Sequence, residues 1–240
     1  MIIFDEYVYA EKLLVNGFSK HMALKDLVIL SRYYRNEGLR GLKLREVLVD
    51  FCLLYNPEYN EVISGWKIDK AISSGRRREI RTARDITISQ EELNIIWDSG
   101  NIHKQKILFC MLAIARFFKN EDNIDYYFNA KFTELLKIAK VHVDKAGRVV
   151  LMNELTRDGY ISPTYTGAFK LNCAGGEEIG VVVKDIENIT SFFPIKCSEC
   201  KQLCDNVSRW HGLCEECHKL NRREKVAKNV KRYRKKDKFL

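Results

Sequence analysis

Apolar positions recur at helical spacing along most of the chain. Tyr7, Leu13, Leu14 and Phe18 lead into Leu27, Leu30, Tyr33 and Tyr34, and Gly38 and Gly41 interrupt the series. The spacing then predicts a helix over about 42–55, with Leu44, Val47, Leu48 and Phe51 on one face and Asn56-Pro57 as its stop. Another helix is expected over about 58–72. Ser89-Gln90-Glu91-Glu92 has the form of a capping box, which opens a short helix to about Trp97. The next helix, about 104–119, carries Ile107, Leu108, Met111, Leu112, Ala115 and Phe118, a face apolar enough for a buried core helix. Two shorter helices follow, over about 131–141 and 145–157. Asp144 is the expected N-cap of the second and Asp158-Gly159 its end, with Val149, Leu151, Met152 and Leu155 assigned to the core.

The period then changes from 3.6 to 2. Residues 160–171 and 179–183 are expected to pair as a hairpin about the turn Ala174-Gly175-Gly176-Glu177. This order, with the passage Leu151-Met-Asn-Glu-Leu-Thr-Arg-Asp-Gly-Tyr-Ile161, resembles a winged helix-turn-helix domain over about 90–186. The resemblance implies that 145–157 enters the major groove, with Lys145, Arg148 and Asn153 as candidate base or phosphate contacts. Lys137, Lys140 and His142 would flank them on the backbone, and Lys170 would reach it from the wing. Winged helices also dock on proteins, so that alternative stands beside the first. Segment 21–75, by its sequence of helix, glycine-containing turn, helix, Asn-Pro step and helix, resembles the small helical domain appended to some phage and plasmid primases.

Charge sharpens this outline. The formal net charge of +9 falls entirely within residues 219–240, where 11 Lys and Arg face Glu224 and Asp237; the preceding residues are formally neutral. Such an appendage is expected to meet phosphates or anionic lipid, and its narrow apolar stripe without Trp or Leu anchors disfavours a membrane surface. A second basic run, Arg76-Arg77-Arg78 with Arg81 and Arg84, fits either a hydrated boundary or a phosphate contact. No stretch reaches the length of a membrane span, and no secretory pattern opens the sequence. A cytoplasmic protein with reduced thiols is expected.

The most specific signal is Cys197-Ser-Glu-Cys200 and Cys214-Glu-Glu-Cys217, two C-x-x-C pairs separated by 13 residues. A two-residue gap lets both thiolates of a pair meet one ion, and two pairs complete a closed tetrahedral set that favours structural zinc. Cys204, His211 and His218 are rival ligands, with His218 expected to start the following helix and sit at the surface. The second pair runs into 219–236, which lacks Gly and Pro and places Val226, Val230 and Tyr233 on one stripe. Arg222, Arg223, Lys225, Lys228, Lys231, Arg232, Arg234, Lys235 and Lys236 are its candidate phosphate contacts. The layout resembles treble-clef zinc fingers with basic helices of phage type, which implies nucleic-acid contact.

No nucleotide-binding glycine loop and no zinc-protease motif is present, so a non-enzymatic protein is expected. The fold class expected is mainly α: a helical domain at 1–86, a winged helix with a β-hairpin wing at 87–190, a zinc finger at 191–218 and a basic helix at 219–240. The function expected is that of a phage or mobile-element replication or transcription accessory factor on double-stranded DNA. RNA binding, or an adaptor role on replication or transcription proteins, is the alternative.

Overall fold

The computed structural model describes residues 2–18, 22–119, 125–204 and 213–236, with the backbone alone for Cys204 and 228–236. It is mainly helical and divides into two units, Met1–Ala83 and Arg84–Leu240. Among the described residues no helix is long and apolar enough to cross a membrane.

The first unit contains α1 (Glu6–Asn16), α2 (Leu24–Asn36), α3 (Gly41–Tyr55) and α4 (Glu61–Gly75). Leu27, Leu30, Leu44, Leu48, Ile68 and Ala71 are fully or almost fully buried between them. The helix expected over 58–72 starts and ends three residues later. Asn60 accepts from the backbone amides of Val62 and Ile63, and a satisfied cap fixes the start where the apolar spacing alone does not. Glu6, 3 % exposed, turns the chain after α4 back over α1 and α2: it binds Arg32 at 2.9 Å, Arg78 at 2.5 Å and the Arg81 amide at 3.1 Å.

The second unit begins with β1 (Ile86–Ser89), α5 (Gln90–Asp98) and α6 (Ile102–Phe118). The capping box is present in both directions: Ser89 Oγ accepts from the Glu92 amide, and Glu92 accepts from the Ser89 amide. Fully buried Glu92 also binds Arg116 of α6 at 2.6 Å and the Gly175 amide at 2.8 Å. One carboxylate thereby joins a helix start, the core helix and the loop before β5.

After α6 come β2 (Tyr127–Phe128), α7 (Phe132–Ile138), α8 (Lys145–Arg157), β3 (Ile161–Pro163) and β4 (Phe169–Leu171). The three strands form an antiparallel sheet in the order β2-β4-β3, registered by Phe128↔Phe169 and Ile161↔Leu171. Phe128, Leu135, Leu155, Ile161 and Leu171 are buried within this segment. The helix expected over 131–141 closes at Ile138 because Lys140 takes a left-handed φ of 51°, after which the Val141 amide returns to the Leu136 carbonyl.

The expected hairpin is corrected. Residues 161–171 form their own hairpin about Thr164–Gly167, and β5 (Ile179–Val183) pairs instead with β1, through Ile86↔Val183 and Ile88↔Val181. A register shift after Ile88 brings Gly180 against α5, where a Cβ would lie 2.8 Å from the Gln90 nitrogen. Only glycine admits that approach. The assignment of Val149 and Met152 to the core is corrected too. Val149 is 57 % exposed and Met152 half-buried, while Leu151 and Leu155 do face inward. Four apolar residues in seven positions cannot all fit the one stripe of a helix that is covered on a single side.

The chain leaves β5 through a 3-10 turn, Ile186–Ser191, capped by Asp185. Phe193 then packs on Phe109 of α6 with ring centroids 4.9 Å apart, and the Trp97 indole donates to the Pro194 carbonyl at 2.8 Å. Glu92→Ala leaves Arg116 partly buried beside an emptied site, a loss of about 3–5 kcal/mol for the second unit. Chemical denaturation followed by fluorescence in a Trp66→Phe, Trp210→Phe background, where Trp97 is the remaining indole, reads this as an earlier midpoint.

Candidate metal centre and basic helix

Two short strands, β6 (Ile195–Lys196) and β7 (Leu203–Cys204), form a hairpin whose turn carries the first cysteine pair. The Cys197 amide bonds the Gln202 carbonyl at 2.9 Å and the Lys201 amide returns to the Cys197 carbonyl at 3.0 Å. Lys201, the residue after the second cysteine, adopts a φ of 63°, a left-handed conformation that L-residues take only locally. The second pair sits at the start of α9 (Glu215–Lys236): Cys214 precedes the helix and Cys217 lies in its first turn.

These elements bring together Cys197, Cys200, Cys214 and Cys217, whose sulfurs all lie within 4.8 Å of one another and could hold a metal ion. Cys200 and Cys214 are 3.8 Å apart. Backbone amides point at the sulfurs, from Cys214 to Cys197 and from Cys217 to Cys214, each at 3.3 Å. Burial works against a charge on Cys197, but the amides of Cys214, Cys200 and Glu199 outweigh it and bring its pKa down to about 6. The opposite holds at Cys217, where the neighbouring sulfurs, Cys214 first, push the thiol up to about 12. Four thiolates this close cannot ionise together in the absence of a cation.

Leu213 is buried beside Cys197 and Cys214, so the cluster has a small apolar floor of its own. Lys196 extends over the Trp97 ring, 5.5 Å from its centroid. The rivals for ligation separate. Cys204 is in β7, with its backbone paired to Ile195, and its side chain lies outside the described residues. His218, expected at the surface, is half-buried beyond Cys217 and lines a groove with Ser198, Asn221 and Arg222. His211 lies outside the described residues.

From Glu215 the helix continues for 22 residues, so it begins four residues before the expected basic helix and incorporates the last ligand. Arg222, Arg223 and Lys225 are exposed on it. Lys228, Lys231, Arg232, Arg234, Lys235 and Lys236 continue the same helix, and their side chains lie outside the described residues.

On α8, Asp144 caps the first turn through the Gly147 amide at 2.7 Å. Lys104, buried on α6, holds the far end by binding Glu154 and Asp158, both at 2.9 Å. The bond to Lys104, then that to Arg157, keeps the Asp158 carboxyl below the usual range. Lys145 and Asn153 share the exposed face with Val149 and Val150. Arg148 turns away from that face. It is half-buried, with its Nε unpartnered, in a groove of about 580 Å³ shared with Lys137, His142 and Asp144. Lys170 is engaged by Asp125 at 2.9 Å. The exposed valines were missed because spacing identifies an apolar residue without saying whether a neighbour covers it.

Compared with known protein families, curated proteins and solved structures, the chain matches none.

The geometry separates two cysteine variants. Cys214→Ser is expected to cut bound metal from about one ion per chain to a small fraction of that, and Cys204→Ser to leave it unchanged. Elemental analysis of the purified proteins measures both.

Proposed function

We propose that this chain is a non-enzymatic DNA-binding protein, an accessory factor of phage or mobile-element replication or transcription. The observation that carries the reading is the order α6-β2-α7-α8-β3-β4 with its sheet order β2-β4-β3. That order supports a winged helix-turn-helix reading, in which α8 is the recognition helix and the loop at Thr164–Gly167 a short wing. Exposed Lys145 and Asn153 supply a phosphate or base contact and an adenine-type fork, and Val149 and Val150 suit thymine methyl groups. Tyr165 stands fully exposed at the tip of the loop. Arg148, half-buried, is a contact only if it swings out of its groove.

Zinc is the metal in this reading. Four soft thiolates without an open position suit a structural zinc, and a Zn–S bond of about 2.3 Å in a tetrahedron sets sulfurs about 3.8 Å apart. The Cys200–Cys214 separation of 3.8 Å agrees. The ion then ties the knuckle to the start of α9, and α9 supplies phosphate affinity without reading sequence. The ligand thiols require a reducing compartment, as the cytoplasm is.

A second reading draws on the same valines. An exposed Val149-Val150 pair on a helix also fits an apolar protein surface, which would make the domain an adaptor for a replication or transcription protein. A duplex-binding assay with site selection distinguishes them. Six neutralised phosphates give a slope of about −5 for log affinity against log salt. The triple variant Arg222→Glu, Arg223→Glu, Lys225→Glu is expected to weaken all sequences alike. Asn153→Ala is expected to relax one position by about 1–3 kcal/mol, some 5- to 150-fold. No retention of duplex at low salt, beside retention of structured RNA or of a protein partner, removes the DNA reading.

A further inference from the structure

The basic run after α4 belongs to neither the winged-helix segment nor α9, and the fold gives it a definite shape. Gly75 ends α4 against α2, where a Cβ would lie 2.6 Å from Ser31 Oγ, and the chain then turns past the end of α2. The result is a pocket of about 460 Å³ within Met1–Ala83, lined by Arg32, Arg35 and Arg40 on one side and Arg76, Arg77 and Arg78 on the other. Asn36, Glu79 and Ile80 complete it with Gly75.

Six guanidinium groups around one cavity repel one another, and the structure accounts for three of them. Buried Glu6 takes Arg32 and Arg78, and Arg40 donates to the Arg35 and Leu39 carbonyls at the end of α2. Arg35, Arg76 and Arg77 line the pocket without an acidic partner among the described residues other than Glu79 at its rim. Two donors are buried without any acceptor: Nη1 of Arg35 and Nε of Arg32, a residue 9 % exposed. Neither nitrogen is reached by solvent, so it is the accumulated positive charge of the lining that favours an anion here, held by charge-assisted hydrogen bonds.

The lining defines the ligand. Every cation is arginine, whose planar fork matches phosphate oxygens two at a time, where α9 mixes lysine with arginine. No aromatic side chain lines the cavity, so it offers a base no aromatic platform. The volume lies in the small-molecule range. We propose that this pocket binds a di- or triphosphate group by its phosphates alone, as borne by a free nucleoside triphosphate or by the 5′ end of a nucleic acid.

Titration of the full-length protein with inorganic tripolyphosphate, followed calorimetrically at moderate salt, tests this. One site per chain is expected. The double variant Arg76→Gln, Arg77→Gln, two exposed residues, should weaken it at least tenfold with the melting curve unchanged, and Arg35→Gln should weaken it similarly. Arg222→Gln with Arg223→Gln should leave it intact, which separates this site from duplex binding by α8 and α9. A tighter fit to ATP, or to a 5′-triphosphorylated single strand, then assigns the source. Absence of saturable binding overturns the proposal. So does binding indifferent to the arginines of the pocket, or binding that follows those of α9.

Discussion

Four sulfurs held within 4.8 Å of one another impose the constraint on which the carboxy-terminal third depends. Each amide aimed at them favours a thiolate, yet each thiolate raises the cost of the next, which is why Cys197 falls to about 6 while Cys217 rises to about 12. A bound metal ion would resolve that conflict, and the cluster's position would give it a structural consequence. Cys217 is already inside α9, so whatever closes the cluster also fixes where that helix starts and which way it leaves the knuckle.

The knuckle in turn is seated on the second unit by few but specific contacts. Trp97 holds Pro194 through its indole, Phe193 packs on Phe109, and the 3-10 turn buries Ile186 and Ile189 beside α6. Behind these lies Glu92, whose carboxylate is spent on a helix start, an arginine of α6 and the Gly175 amide. A buried charge with this many partners specifies one arrangement more sharply than apolar packing does, because every slip leaves some donor or acceptor unpaired. In this way a body without net charge presents both an exposed face of α8 and a strongly basic α9.

What was legible in the sequence was local. Ser89-Gln-Glu-Glu92, Asp144 and the two C-x-x-C pairs depend on residues within a turn of one another, so their spacing alone describes their geometry. Chemistry that depends on distant partners was not legible. The pairing of β5 with β1 joins residues nearly a hundred apart, and Ala174–Glu177 reads as a hairpin turn only until Ser89 and Glu92 claim Gly175. Val149 looked like core because it is apolar, and only the packing of α8 on one side reveals its exposure. The arginines at 76–78 could not be told from a hydrated linker until Arg32, Arg35 and Arg40 were found opposite them.

In the proposed reading α8 and α9 both meet DNA, the first reading bases and the second holding phosphates. Photo-crosslinking the metal-loaded, full-length protein to duplex DNA and mapping the modified peptides by mass spectrometry measures this directly. The account predicts crosslinks within residues 145–157 and 219–236 in the same complexes. Crosslinks confined to other segments, with both of these peptides unmodified, would contradict it.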